Sequence, residues 1–89
     1  MIDVSFSSSF LKTYKKKIKG DSSLEEVFDE KLQIFLADPF DSRLKTHKLS
    51  GNLNDVWSFS VNFNIRVTFY FAGKNKVVFE YLGTHDEVY

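Results

Sequence analysis

The chain has no cysteine, and only one proline, one methionine and four glycines among its 89 residues. Without thiols there is no disulfide staple, no zinc–thiolate site and no cysteine nucleophile, so packing has to supply the stability. No apolar run approaches the roughly 18 residues that span a bilayer. The N-terminus lacks the basic-then-apolar order of a signal peptide, so the expected location is the cytoplasm, with no membrane partner. Net charge is missing too, since 12 Lys and Arg balance 12 Asp and Glu. Whole-molecule charge therefore does not single out nucleic acid. There is no Gly-rich phosphate loop and no nucleophile elbow. The two histidines lack the ligand spacing of a zinc or EF-hand site, so neither a metal nor a cofactor is expected.

What the chain does have is aromatic carbon. Ten Phe, four Tyr and one Trp make it 17% aromatic within 43% hydrophobic residues, too apolar for a disordered segment. Its length is below the usual domain size of about 100–150 residues, so residues 1–89 read as one domain. The charges are not evenly spread. Residues 1–20 carry five Lys against one Asp, residues 21–41 seven acids against one Lys, and residues 42–89 six basic against four acidic groups. An acidic helix turned away from a functional surface would leave a local positive field, while a solvated helix face would carry the same charges without any such role.

Ile2, Val4 and Phe6 alternate with Asp3 and Ser5 as in a short half-buried strand. Ser7, Ser8 or Ser9 then caps a helix with Phe10, Leu11, Tyr14 and Ile18 inside and Lys12, Lys15, Lys16, Lys17 and Lys19 outside. Gly20 suits its C-terminal end. Ser22 with Glu25, or Ser23 with Glu26, has capping-box spacing for a second helix. That helix aligns Leu24, Val27, Phe28, Leu32, Phe35 and Leu36 and ends at Asp38-Pro39. From Trp57 onward the period is two: Trp57, Phe59, Val61 and Phe63, then Ile65, Val67, Phe69 and Phe71, alternate with polar residues. A turn at Asn62–Asn64, a loop at 72–76 and a third strand from Val77 to Leu82 complete an antiparallel meander. The expected fold is α+β in the order β-α-α-β-β-β, two helices covering the Trp57/Phe59/Ile65/Phe69 face and the other face open.

Function is therefore expected on the open face, where Ser58, Ser60, Arg66, Thr68 and Tyr70 project. Arg66 sits mid-strand, where its guanidinium can fork onto a phosphate or a carboxylate; pairing with a neighbour such as Glu80 is the structural alternative. The ending Gly83-Thr84-His85-Asp86-Glu87-Val88-Tyr89 gathers an imidazole, carboxylates and a phenol, groups that move protons or stack on a base. A polar terminal tail is also commonly solvated or frayed.

The series Asp38-Pro39, Leu44-Lys45-Thr46-His47-Lys48-Leu49-Ser50-Gly51, Trp57–Val61, Arg66–Tyr70 and Gly83–Tyr89 resembles the RelE/YafQ branch of the RelE/ParE superfamily, toxins of bacterial type II toxin–antitoxin pairs. The resemblance covers nearly the whole chain. Its most specific parts are His-Lys-Leu-Ser-Gly and the Gly-Thr-His ending with its terminal aromatic. It implies the β-α-α-β-β-β fold, ribosome-dependent cleavage of mRNA without a metal, and neutralisation by a cognate antitoxin. His47 and His85 match the loop and C-terminal histidines of YafQ-like toxins, Arg66 the strand arginine of RelE-like ones, and Tyr89 the terminal aromatic of both. These four are the expected catalytic residues. Lys48, Ser58, Ser60 and Tyr81, at or beside substrate-facing positions, are the expected RNA contacts, and Lys12, Lys15, Lys16 and Lys19 the expected ribosome contacts.

The chain also departs from the pattern. Ser58 and Ser60 stand where RelE-like toxins carry lysines, Ser60 and Asn64 where YafQ-like ones carry His and Asp, and Tyr81 where the latter carry Arg. The implied reaction is attack of a 2′-hydroxyl on the adjoining phosphate, with histidines moving protons, Arg66 stabilising the phosphorane and Tyr89 orienting a base. A ParE-like inhibitor of DNA gyrase with no RNA chemistry, and a binding relic with weakened catalysis, are the competing readings.

Overall fold

The computed structural model describes residues 1–49 and 55–89, so the Ser50-Gly51 end of the His47 motif lies outside the described residues. Strand β1 (Asp3–Phe6) leads into helices α1 (Ser8–Lys17) and α2 (Ser22–Ala37), a 3-10 turn (Ser42–Leu44) and a short strand β2 (His47–Lys48). Strands β3 (Val56–Ser60), β4 (Ile65–Gly73) and β5 (Lys76–Thr84) follow, then a one-turn helix α3 (His85–Val88). The sheet order is β1-β5-β4-β3-β2. The expected α+β order and the β3-β4-β5 meander are present. The sheet is mixed rather than wholly antiparallel, because β1 pairs in parallel with β5. Tight turns force antiparallel neighbours, and no tight turn joins β1 to β5.

Ser7 is the α1 cap, its Oγ accepting from the Phe10 amide at 3.0 Å. At α2 the cap is Asp21 rather than Ser22 or Ser23. Its carboxylate accepts from Leu24 N at 3.2 Å, and Glu25 reaches back to Gly20 N at 3.1 Å. A full negative charge at a helix N-terminus outcompetes a neutral hydroxyl for the first free amides. Gly20, at φ +94°, takes the left-handed conformation that lets the chain turn between the helices.

Phe35 of α2 is the hub of the core. Its ring meets Phe69 and Phe79 edge-on at 5.0 and 5.1 Å and Phe59 at 5.1 Å, and all four are fully buried. Such pairs add about 0.5–1.5 kcal/mol each beyond area burial. They stand in for the absent disulfides.

The open face is set by an irregularity in β5. Phe79 lies opposite Phe69 and Tyr81 opposite Thr68, which leaves Glu80 without a partner on β4. The extra residue moves Tyr81 to the outer face and Leu82 into the core. Helix α1 holds this bulge in place. Ser7 Oγ donates to the Glu80 carbonyl at 2.7 Å, and Thr13 Oγ1 accepts from Leu82 N at 3.1 Å along the edge that β1 leaves uncovered.

Candidate active site

The C-terminal residues form a turn of helix that folds back over the outer face of the sheet, with His85, Asp86, Glu87 and Tyr89 still exposed to solvent. Thr84 ends β5 and caps α3, its Oγ1 accepting from Glu87 N while Glu87 Oε1 accepts from Thr84 N at 2.8 Å. The His85 amide donates to the Asn64 carbonyl at 2.8 Å, fixing the start of α3 against the β3–β4 turn. One helical turn later Tyr89 reaches β3, where its hydroxyl donates to Ser58 Oγ at 2.9 Å.

This turn of helix assembles a row of rings. Tyr89 lies 4.6 Å from the His85 ring, centroid to centroid, and stacks on His47 at 5.4 Å and 25°. His47 comes from β2, which pairs with β3 through His47–Ser58. Its Nδ1 sits 3.1 Å from the Lys45 carbonyl. A carbonyl only accepts, so Nδ1 carries the hydrogen and Nε2 the lone pair in the neutral ring. Lys45 presents that carbonyl from a left-handed conformation, φ 54°.

Arg66 supplies the cation. Its guanidinium donates to the Asn62 carbonyl at 2.6 Å and to the Ile65 carbonyl at 3.3 Å. No salt bridge joins it to Glu80 or to any other carboxylate among the described residues. Its charge is positioned without being neutralised. Arg66, His47, His85, Tyr89, Lys45 and Ser60 line one cleft of about 280 Å³.

The four expected catalytic residues are thus neighbours, and Ser60 joins them. The other expected RNA contacts lie elsewhere. Lys48 follows His47 on a strand and so faces the opposite side, where its Nζ is 3.7 Å from Asp55 Oδ1. Ser58 is fully buried and holds Tyr89. Tyr81 covers Gly83 on the outer face, outside the cleft lining. Lys12, Lys15, Lys16 and Lys19 are exposed on or just beyond α1, away from the cleft lining. Lys17 departs from the expected solvent cluster, its Nζ binding Glu87 at 3.1 Å and tying α1 to α3. Lys45 is the cleft residue that sequence reasoning missed; no periodicity marks a lysine whose carbonyl, as much as its amine, serves the site.

Two carboxyl groups outside the cleft lining, Glu87 on α3 and Asp41 before the 3-10 turn, are held in their charged form. The Thr84 backbone amide, and then Lys17, keep Glu87 below the usual carboxylate range. Arg43, bonded through its side chain at 2.9 and 3.0 Å, holds Asp41 down to about 2. The cleft itself offers two imidazoles for proton transfer, an arginine for anionic oxygen and a phenol ring for stacking. Among the described residues no three His, Asp or Glu side chains converge to hold a metal ion.

No family model matches this chain, and no curated protein matches it in sequence. Solved structures match its fold. A YoeB/ParE toxin from Agrobacterium tumefaciens superposes with a TM-score of 0.79 at 16% identity, covering 94% of this chain and 99% of that one. The YoeB dimer from Staphylococcus aureus gives 0.75 at 20% identity, covering 94% and 97%. YafQ in the E. coli DinJ-YafQ complex gives 0.69 at 20% identity, covering 100% and 99%. The fold is that of the RelE-like toxins.

Proposed function

We propose that this protein is the toxin of a type II toxin–antitoxin pair and that it cleaves mRNA on the ribosome. The observation that carries the reading is the convergence of His47, Arg66, His85 and Tyr89, from β2, β4, α3 and the residue after it, on one cleft. Support comes from the fold shared with YoeB and YafQ toxins and from the DinJ-bound state of YafQ, which makes a cognate antitoxin the expected partner.

In this reading the 2′-oxygen attacks the adjoining phosphorus and the bond from phosphorus to the 5′-oxygen breaks. A base takes the 2′-hydroxyl proton and an acid returns one to the leaving 5′-oxygen, giving a 2′,3′-cyclic phosphate and a 5′-hydroxyl end. His47, whose Nε2 keeps the lone pair, is the base, which leaves proton delivery to His85. Arg66 faces the negative charge that builds on the phosphorane, and its carbonyl contacts leave that charge available. Tyr89 orients a base and, through Ser58, fixes the turn that carries His85.

The deciding experiment incubates the purified protein with mRNA, with and without ribosomes, and maps the product ends. Codon-spaced cuts ending in 2′,3′-cyclic phosphate and found only with ribosomes present support the reading. Intact mRNA together with accumulating gyrase–DNA cleavage complexes would replace it with a gyrase inhibitor.

A further inference from the structure

The cleft does not end at Arg66. On its far side a groove of about 170 Å³ shares Lys45, Ser60 and Arg66 with the cleft and continues between α2, the 3-10 turn and the β3–β4 turn. Three features give it a chemistry of its own. Lys31 reaches in from α2 with Nζ 3.4 Å from the Val61 carbonyl, and Arg66 is pinned by the Asn62 carbonyl. Backbone carbonyls place these cations without cancelling them, and no carboxylate within salt-bridge distance neutralises Lys31, Lys45 or Arg66 among the described residues. Arg43, also in the lining, is already neutralised by Asp41, and Glu30 contributes a further negative field toward it. The balance remains positive. At the rim stands Phe63, 92% exposed in a chain that buries most of its phenylalanines. The Asn62 side chain fixes the turn beneath it, Oδ1 accepting from Asn64 N and Ile65 N at 2.9 and 2.7 Å. The ring is therefore carried on a held turn.

Positive charge that tracks a backbone, beside an exposed aromatic face, is the arrangement that binds a single-stranded nucleotide. We propose that this groove is a subsite for one further ribonucleotide of the substrate strand, its phosphate held by Lys31 and Lys45 and its base stacked on Phe63. The proposal rests on the nuclease reading and adds that the enzyme grips the strand beyond the reacting linkage. Neutral overall charge then poses no obstacle to RNA binding, because the local positive field lies along the strand's path.

The test uses 2′-O-methyl ribonucleotides, which cannot be cleaved, titrated into the whole protein and followed by amide shifts. A dinucleotide is compared with trinucleotides extended at the 5′ or the 3′ end. One of the two extensions should bind about tenfold tighter than the dinucleotide, the worth of one stacked base. Phe63→Ala should abolish that gain while leaving dinucleotide affinity unchanged, Phe63→Trp should retain it, and Lys31→Gln should make the longer ligand's binding less sensitive to salt. Phe63 is exposed, so its variants fold, and their thermal unfolding checks this. Equal gains from extension in the native protein and Phe63→Ala would overturn the subsite. If the native protein cleaves ribosomal mRNA while the KM of Phe63→Ala also stays native, the subsite fails and the nuclease reading survives. A Phe63-dependent gain without cleavage keeps the subsite and removes the nuclease.

Discussion

Tyr89 donates its phenolic hydrogen to Ser58 Oγ across 2.9 Å, joining the residue after α3 to a fully buried position on β3. That bond lies behind the ring stack on His47 and one helical turn from His85, so a single contact couples the sheet to both imidazoles.

Tyr89→Phe keeps the ring and removes the donor. A buried hydroxyl that loses its partner costs about 1–3 kcal/mol. The expected loss is about 1–2 kcal/mol, with each kcal/mol lowering Tm by about 4–8 °C in a domain of this size. Adding Ser58→Ala should cost less than the two single changes suggest, because both remove the same bond. A double mutant whose loss equals the sum would show that the bond contributes nothing.

In the proposed reaction, His85→Ala and Arg66→Lys would separate proton transfer from charge stabilisation. The His85 side chain is 56% exposed, so its removal should leave Tm nearly unchanged while cleavage on ribosomes falls. A general acid or base contributes about 10²–10⁴-fold. Arg66→Lys keeps the charge and loses the planar fork held by the Asn62 and Ile65 carbonyls, so rate should fall far more than stability. Melting with intact specific activity would make Arg66 a structural residue.

Acid should release α3. Glu87 is held below its ordinary value by the Thr84 amide and Lys17, so its contribution is fully present above the unfolded carboxyl value of about 4.3 and is lost as pH falls through the lower folded value. The protection of amides 85–89, taken relative to intrinsic exchange at each pH, should therefore fall on acidification while the β4 and β5 amides stay protected. Glu87→Gln should show fast exchange in α3 already at neutral pH, with the acid step gone.

Gly83→Ala tests how closely α3 sits on the sheet. A Cβ there would stand 2.7 Å from Tyr81 Cε2 and 3.1 Å from Glu87 Oε1. Tyr81 and Glu87 must both shift, so the substitution should displace α3 and lower cleavage together with stability, by about 1–3 kcal/mol as for other overpacked sites. Native activity in Gly83→Ala would mean that α3 tolerates being moved.

Lys12, Lys15 and Lys16 share one exposed face of α1, whereas Lys17 is committed to Glu87. Reversing Lys15 and Lys16 to Glu should weaken ribosome association without changing the fold. Each lost phosphate contact should flatten the dependence of log affinity on log salt by about 0.7–0.9. An unaltered cleavage rate at low ribosome concentration would remove this face from the interaction.

The amino-acid sequence by itself determined β1, α1, α2 and the β3-β4-β5 meander and most of their inward faces, because apolar spacing of three and four, or of two, favours helix or strand. By contrast, β2, the 3-10 turn and α3 carry no such spacing. It also marked His47, Arg66, His85 and Tyr89, whose side-chain chemistry is legible without coordinates. Tertiary contact decided the rest. Strict alternation from Val77 and Phe79 would send Tyr81 into the core; the bulge at Glu80, held by Ser7 and Thr13 of a distant helix, turns it outward and brings Leu82 in. The Gly83–Tyr89 segment reads equally well as a solvated tail until Ser58, Asn64 and Lys17 supply its partners. Ser58 reads as a surface polar residue until Tyr89 covers it, and Lys45 carries no signal until its carbonyl meets His47. Periodicity records which way a residue faces within its own element. Which elements then meet depends on contacts between residues far apart in the chain, and those formed only when the sheet brought β2, β3, β4 and α3 together.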